Sequence, residues 1–147
     1  SCPLNDGAAA ALIMTSDRAR QLGCRPMGRI RSYAFIGVEP ARMGIGPAEA
    51  LPLALTRGKL GLPDLDVIEV NEAFAAQYLA VERVLGLDRD RVNVNGGAIA
   101  LGHPVGMTGT RLIITLLHEL RRRDASLGAV AMCVGGGQGA ALIVERV

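Results

Sequence analysis

Hydrophobic residues recur along this chain in short apolar runs separated by longer stretches with helical spacing. Ala8 to Thr15 is an almost unbroken apolar run, which suits a strand covered on both faces, and Ser16-Asp17 then offers an N-cap for a short helix ending at Gly23. Arg29 to Val38 carries Ile30, Tyr33, Phe35 and Ile36 among small residues. It predicts a second strand, followed by a loop from Glu39 to Gly46. Pro47 opens a helix running to Arg57, with Ala50, Leu51 and Leu55 at helical spacing and Gly58 beyond its end. Val67 to Val70 predicts a short buried strand. A helix from near Glu72 then places Phe74, Tyr78, Val81 and Leu85 in one apolar stripe that Gly86 terminates.

Beyond it, Arg91 to Val94 predicts another short strand, a glycine-rich stretch runs to Gly109, and a helix follows with Ile113, Leu116, Leu117 and Leu120 on one face. Leu127 to Val134 and Ala140 to Val147 read as the last strands. The link between them, Gly135-Gly136-Gly137-Gln138-Gly139, is too short for a crossover helix, so the pair is expected to be antiparallel. The order β-α-β-α-β-α-β-α-β-β predicts an α/β fold. Its sheet would be mixed but mostly parallel, with five to six strands, helices on both faces and an antiparallel C-terminal strand pair at one edge. No repeat, low-complexity tract or dividing linker is present, so one domain is expected over residues 1–147. The chain begins almost inside its first expected strand, so the expectation is a piece of something longer.

Composition narrows the picture. The 147 residues are 50% hydrophobic and 20% charged, with two Phe, two Tyr and no Trp, so the core must be closely packed Ala, Val, Leu and Ile. A net charge of +2 with interspersed signs lacks the dense cationic stripe that a phosphate backbone requires, which argues against nucleic acid. The run Arg121-Arg122-Arg123 falls where a helix ends and complements its dipole there. No window approaches the roughly 18 apolar residues of a membrane span, and Ser1 to Asp6 has neither the basic nor the apolar region of a signal peptide. Three cysteines at irregular spacing make a poor disulfide framework. The expectation is a cytoplasmic protein without a membrane partner.

Two glycine patterns invite a nucleotide. Gly97-Ala98-Ile99-Ala100-Leu101-Gly102 has the glycine spacing of a phosphate loop, but His103 and Pro104 stand where Lys and Ser or Thr are needed. Gly135, Gly137 and Ala140 imitate a dinucleotide fingerprint that requires a following helix and an acidic residue about 20 positions later; the chain ends at Val147. Metal binding is no better supported, since His103 and His118 are fifteen positions apart and Cys2, Cys24 and Cys133 show no zinc-ligand spacing. His118 lies off the leucine face and reads as a surface residue, and Cys2 and Cys24 as ordinary small side chains.

Three blocks remain. Asn71-Glu72-Ala73-Phe74-Ala75, the run Asn93-Val94-Asn95-Gly96-Gly97-Ala98-Ile99-Ala100-Leu101-Gly102-His103-Pro104, and Cys133-Val134-Gly135-Gly136-Gly137-Gln138-Gly139 resemble, in this order, the signature blocks of the thiolase family. The opening Leu4-Asn5-Asp6-Gly7-Ala8-Ala9-Ala10 is similar to the start of that family's carboxyl-terminal half. The resemblance implies an acyltransferase acting on CoA thioesters, with His103 as catalytic histidine, Cys133 as acid/base cysteine, Asn71 as holder of a water in an oxyanion hole and Gly135 as a backbone donor. It also implies that the nucleophilic cysteine belongs to an amino-terminal half absent from this chain. The chain alone would then be inactive, and the complete protein a homo-oligomer of lipid metabolism that binds CoA thioesters as substrates, with no permanently bound cofactor. Met107 and Thr108 depart from the commonest family pattern, although Thr108 keeps a hydroxyl that suits a helix cap.

The chemistry makes the same demands. Forming a carbon–carbon bond beside a thioester needs an acyl carrier, a base for the α-proton and donors for the enolate oxygen. A thiol whose ordinary pKa is about 8.5 suits the base. Glu72 at a helix start complements the dipole more simply than it serves as a base. Two alternatives stand beside this reading. One is a non-catalytic thiolase-like scaffold, which would have no need for Asn71, His103 and Cys133 together. The other is a decarboxylating condensing enzyme, which typically carries a second histidine where Cys133 stands.

Overall fold

Four strands form one open mixed sheet in the computed structural model, which describes residues 4–147. They are β1 (Gly28–Gly37), β2 (Val67–Val70), β3 (Leu127–Val134) and β4 (Gln138–Arg146), arranged β1-β4-β3-β2. β2 and β3 are parallel, while β4 is antiparallel to both β3 and β1. The α/β class and the antiparallel final pair agree with expectation. The reversed strand was expected at an edge, and it lies instead between β1 and β3. Alternation of elements fixes strand direction but not lateral order, and β1 matches β4 along its length, from Gly28 opposite Arg146 to Gly37 opposite Gln138.

The strand count differs for two reasons. Ala8 to Thr15 is not a strand: it lies along the surface without a ladder partner, with Leu12 81% and Ile13 76% exposed. An apolar run marks a buried strand only where a neighbour accepts its hydrogen bonds. Arg91 to Val94 shrinks to a single parallel bridge between Val92 and Ile68. There Asn93 takes a left-handed conformation (φ 48°), and its side-chain amide replaces the ladder. Oδ1 accepts from the Val70 N–H and Nδ2 donates to the Val70 carbonyl, both at 2.9 Å.

Helices cover both faces. α1 (Ser16–Gln21) is capped by the Thr15 hydroxyl. α2 (Gly46–Gly58) and α3 (Ala75–Leu85) lie over the face that presents Ala34, Ile68, Val70, Ala129, Ala131, Ala141 and Ile143. α5 (Thr108–Arg122) covers Val67, Val130 and Val144 on the other, and α4 (Ala98–Leu101) is a single turn in the glycine-rich stretch. The period-two alternation of these strand residues between the clusters is what a two-sided sheet demands. The alanine-rich face lets α2 approach closely. A Cβ on Gly139 of β4 would meet the Gly46 carbonyl oxygen at 2.1 Å, so neither position has room for a side chain.

Element ends shift in instructive ways. α2 runs one residue further than expected, to a left-handed cap at Lys59. α3 starts at Ala75, three residues after Glu72, because residues 71 to 74 form an irregular turn into the helix, with Phe74 as its extended N-cap; Phe74 is exposed and drops out of the expected stripe. On α5 the most buried leucines are Leu112, Leu116 and Leu120, while Ile113 and Leu117 flank them half-buried. β4 begins at Gln138, which leaves Gly135-Gly136-Gly137 as the hairpin link. Among the described residues no helix is long and apolar enough to cross a membrane.

Candidate functional site

The carboxyl ends of the parallel strands β2 and β3 carry the site, the place where such sheets present reactive groups. Asn71 follows directly on β2 and is fully enclosed, its N–H donating to the Ala131 carbonyl of β3 at 2.9 Å. His103 follows α4 and is 7% exposed. Its backbone N–H donates to Asn5 Oδ1 (2.9 Å), and both ring nitrogens are held. Nδ1 lies 2.6 Å from Thr108 Oγ1 and Nε2 lies 3.2 Å from Asn71 Nδ2.

The hydrogen-bond chain fixes the tautomer. The Thr108 hydroxyl donates its proton to the Pro104 carbonyl at 2.9 Å, so it can only accept from the ring. Nδ1 therefore carries the proton, and Nε2 is the acceptor facing Asn71 Nδ2. Burial first, and the Arg111 guanidinium second, hold the His103 pKa below its ordinary 6.5. The ring is thus a neutral base near pH 7. Asn71 Oδ1, also buried, accepts no hydrogen bond among the described residues.

The loop bearing His103 is anchored by acids. Glu72 accepts from Asn93 Nδ2 (3.1 Å) and from the Ile99 N–H (3.1 Å) at the start of α4. It therefore fastens the histidine loop rather than complementing α3, the role expected of it. Glu119 on α5 accepts from Asn95 Nδ2 at 2.9 Å and pairs with Arg122 and Arg123, which lower its pKa to about 2. Two members of the arginine run thus serve a buried acid, not only a solvated helix end.

Cys133 is the penultimate residue of β3, buried, two positions beyond the carbonyl that fixes Asn71. Gly135 opens the hairpin turn with φ 57°, exposed, its left-handed backbone turning the chain at the strand's end. Asn71 and His103 are in direct contact, and Cys133 and Gly135 reach the same end of the sheet through β3. His118 is exposed on α5 and Cys24 is exposed, in keeping with the ordinary roles expected of them; Cys2 lies outside the described residues.

Sequence reasoning missed four members. Asn5 was read only as part of the opening block, and Thr108 as a helix cap, yet the α5 N-cap is Met107 and the Thr108 hydroxyl serves His103. Glu69 and Arg111 face one another behind the site, at 3.6 Å. A carboxylate inside the apolar run Val67–Val70 was the available signal for the last pair. Among the described residues no cluster of His, Cys, Asp and Glu could hold a metal ion.

The fold and site define an α/β domain whose histidine and cysteine stand at the carboxyl ends of its parallel strands. The family model described as "Thiolase, C-terminal domain" matches residues 24–146, and the chain belongs to the thiolase family. It is 59% identical over 143 residues to an acetyl-CoA acetyltransferase of Pseudomonas aeruginosa, covering 97% of this chain and 36% of that protein. To a 3-ketoacyl-CoA thiolase of Bacillus subtilis it is 52% identical over 145 residues, covering 99% and 37%. Among solved structures, the acetyl-CoA acetyltransferase of Bacillus anthracis superposes with a TM-score of 0.89 at 50% identity, over 91% of this chain and 34% of that one. Human mitochondrial 3-ketoacyl-CoA thiolase in complex with CoA gives a TM-score of 0.88 at 50% identity, over 90% and 34%. The chain therefore spans about a third of the length of the curated relatives it matches, and corresponds to their carboxyl-terminal portion.

Proposed function

We propose that this chain supplies the carboxyl-terminal catalytic half of a thiolase, transferring an acyl group between CoA thioesters by Claisen condensation or its reverse, thiolysis. The observation that carries the reading is the clasp on His103, a buried neutral imidazole with Nε2 as acceptor between Asn71 and Thr108. In the first half-reaction a cysteine thiol of the amino-terminal half loses its proton to Nε2, which gives up its contact with Asn71 Nδ2, and attacks the donor's thioester carbonyl; CoA leaves and takes that proton as its thiol. In the second, the Cys133 thiolate removes the α-proton of acetyl-CoA and the carbanion attacks the acyl carbonyl. The nucleophile's sulfur departs and receives that proton. The unmet buried acceptor of Asn71 suits a bound water directed at the enolate oxygen, and the Gly135 N–H suits a second donor.

On this reading CoA thioesters are substrates rather than a resident cofactor, and the chain forms one domain of a cytoplasmic enzyme of lipid metabolism such as fatty acid β-oxidation. Its partners are the amino-terminal half and further copies of itself. The exposed Leu12, Ile13, Tyr33 and Phe35 fit surfaces covered in such an assembly. A non-catalytic scaffold would need neither the neutral histidine nor the buried cysteine, and a decarboxylating relative would place a second histidine at Cys133.

The division of labour is tested on the complete protein carrying Cys133→Ala. Exposed to acetyl-CoA it should accumulate acyl-enzyme, read as added mass, while condensation is lost. Equal loss of both steps would overturn the assignment of Cys133 to the α-carbon step.

A further inference from the structure

Two residues with no part in that chemistry are buried where charge is hardest to hold. Glu69 of β2 is fully enclosed, and among the described residues neither of its carboxylate oxygens accepts a hydrogen bond. Arg111 of α5 faces it with Nη1 3.6 Å from Oε2, and Nη1 and Nη2 are themselves buried without hydrogen-bond partners. An apolar pair of the same volume would join strand to helix at least as well. The pair therefore calls for a reason other than cohesion.

Its placement supplies one. Glu69 and Asn71 are two positions apart on one extended segment, so their side chains leave the same face, and Thr108 and Arg111 are three apart on one helix and share a side. Asn71 and Thr108 are the residues that hold the two nitrogens of His103. One strand end and one helical turn thus present two contacts side by side, a hydrogen-bonded clasp on the imidazole and an ion pair next to it. We propose that Glu69 and Arg111 are positioning residues that set the charge on His103, the guanidinium opposing a second cation on the ring and the carboxylate deciding how much of that field is cancelled.

The electrostatics agree. Arg111 is the charged group that bears on His103, adding to burial in lowering its pKa. Glu69 is faced by Arg111, by Glu72 beyond β2 and by Glu119 on α5; burial outweighs the Arg111 attraction and raises its pKa to about 7. A proton on Glu69 near neutrality therefore uncovers the Arg111 charge beside the ring.

This inference rests on the reading of His103 as the acid–base group, but its test reads the ring without any acyl transfer, so either can fail alone. The 147-residue chain has two histidines, and the exposed His118 serves as an internal reference in an NMR titration of the imidazole signals. Arg111→Gln should raise the His103 midpoint by about one pH unit, whereas Glu69→Gln, which copies the protonated acid that prevails where the ring titrates, should barely move it, with His118 unmoved. Arg111→Lys, keeping the charge, should restore the wild-type midpoint. A His103 midpoint unmoved in Arg111→Gln, or raised in Glu69→Gln as far as in Arg111→Gln, overturns the proposal. If Arg111→Gln does not fold, Arg111→Met takes its place with the same expected rise; loss of the native spectrum in both, and in Arg111→Lys, shows a structural prop and overturns it too.

Discussion

At His103 the decisive contact is a hydroxyl. Thr108 Oγ1, 2.6 Å from Nδ1, fixes the tautomer that leaves Nε2 as the base. Thr108→Val keeps the shape but strands a buried N–H, a loss of about 1–3 kcal/mol in holding the ring. In the complete enzyme kcat should fall roughly tenfold or more with KM little changed, and Thr108→Ser should recover most of it. His103→Ala should cost more. The nucleophile's sulfur enters in one half-reaction and leaves in the other, so acylation and condensation should each slow on the order of 10²-fold or more. Separate measurement of the two steps checks this, and near-normal turnover in either variant sinks the assignment. His103 itself was legible in the sequence from its glycine-rich block. Thr108 was visible only as a helix opener, because the link from a hydroxyl to a ring five residues earlier is made by the turn at Pro104, which no spacing rule encodes.

Among the elements, β2 and α5 show how a pH response is built from packing. Glu69 has its pKa raised by burial from 4.5 to about 7, so the folded protein holds that proton more tightly than the unfolded chain does. Its stabilising contribution is then full below pH 4.5 and is lost as pH rises through 7, on the order of 3 kcal/mol over that window. Glu119, lowered to about 2, behaves oppositely: its contribution is present above pH 4.5 and lost as pH falls towards 2. Relative to wild type, Glu69→Gln should therefore gain melting temperature steadily between pH 4.5 and 7, whereas a constant difference across that range would contradict the burial account. α1, α2, α3, α5 and β1 to β4 were legible because their periodicity and caps are strong, whereas the single turn α4 was hidden in the glycine-rich stretch. Two expected strands were not, for separate reasons. Asn93 replaces a ladder with a side-chain amide, a substitution invisible to patterning. Ala8 to Thr15 has the composition of a covered strand but no partner within this chain.

For the molecule as a whole, the chain spans about a third of its relatives, and the expected outcome is that alone it has no thiolase activity. A base and oxyanion donors do not replace a covalent acyl carrier held beside them. The check is thiolysis of acetoacetyl-CoA by the purified chain, before and after adding the separately expressed amino-terminal half; turnover by the chain alone, abolished on alkylating Cys2 or Cys24, would reveal a nucleophile wrongly dismissed. The sheet order has a consequence for how such a chain comes to fold. β4, the last of the four strands in chain order, lies inside the sheet, and it pairs with β1 across a loop of roughly a hundred residues. Until β4 is available, β1 has no neighbour in this sheet and β3 lacks one of its two. Assembly of this sheet must therefore wait on its last strand and is slowed by non-local pairing. During that interval the apolar edges of β1 and β3 are the segments a holding chaperone would have to cover.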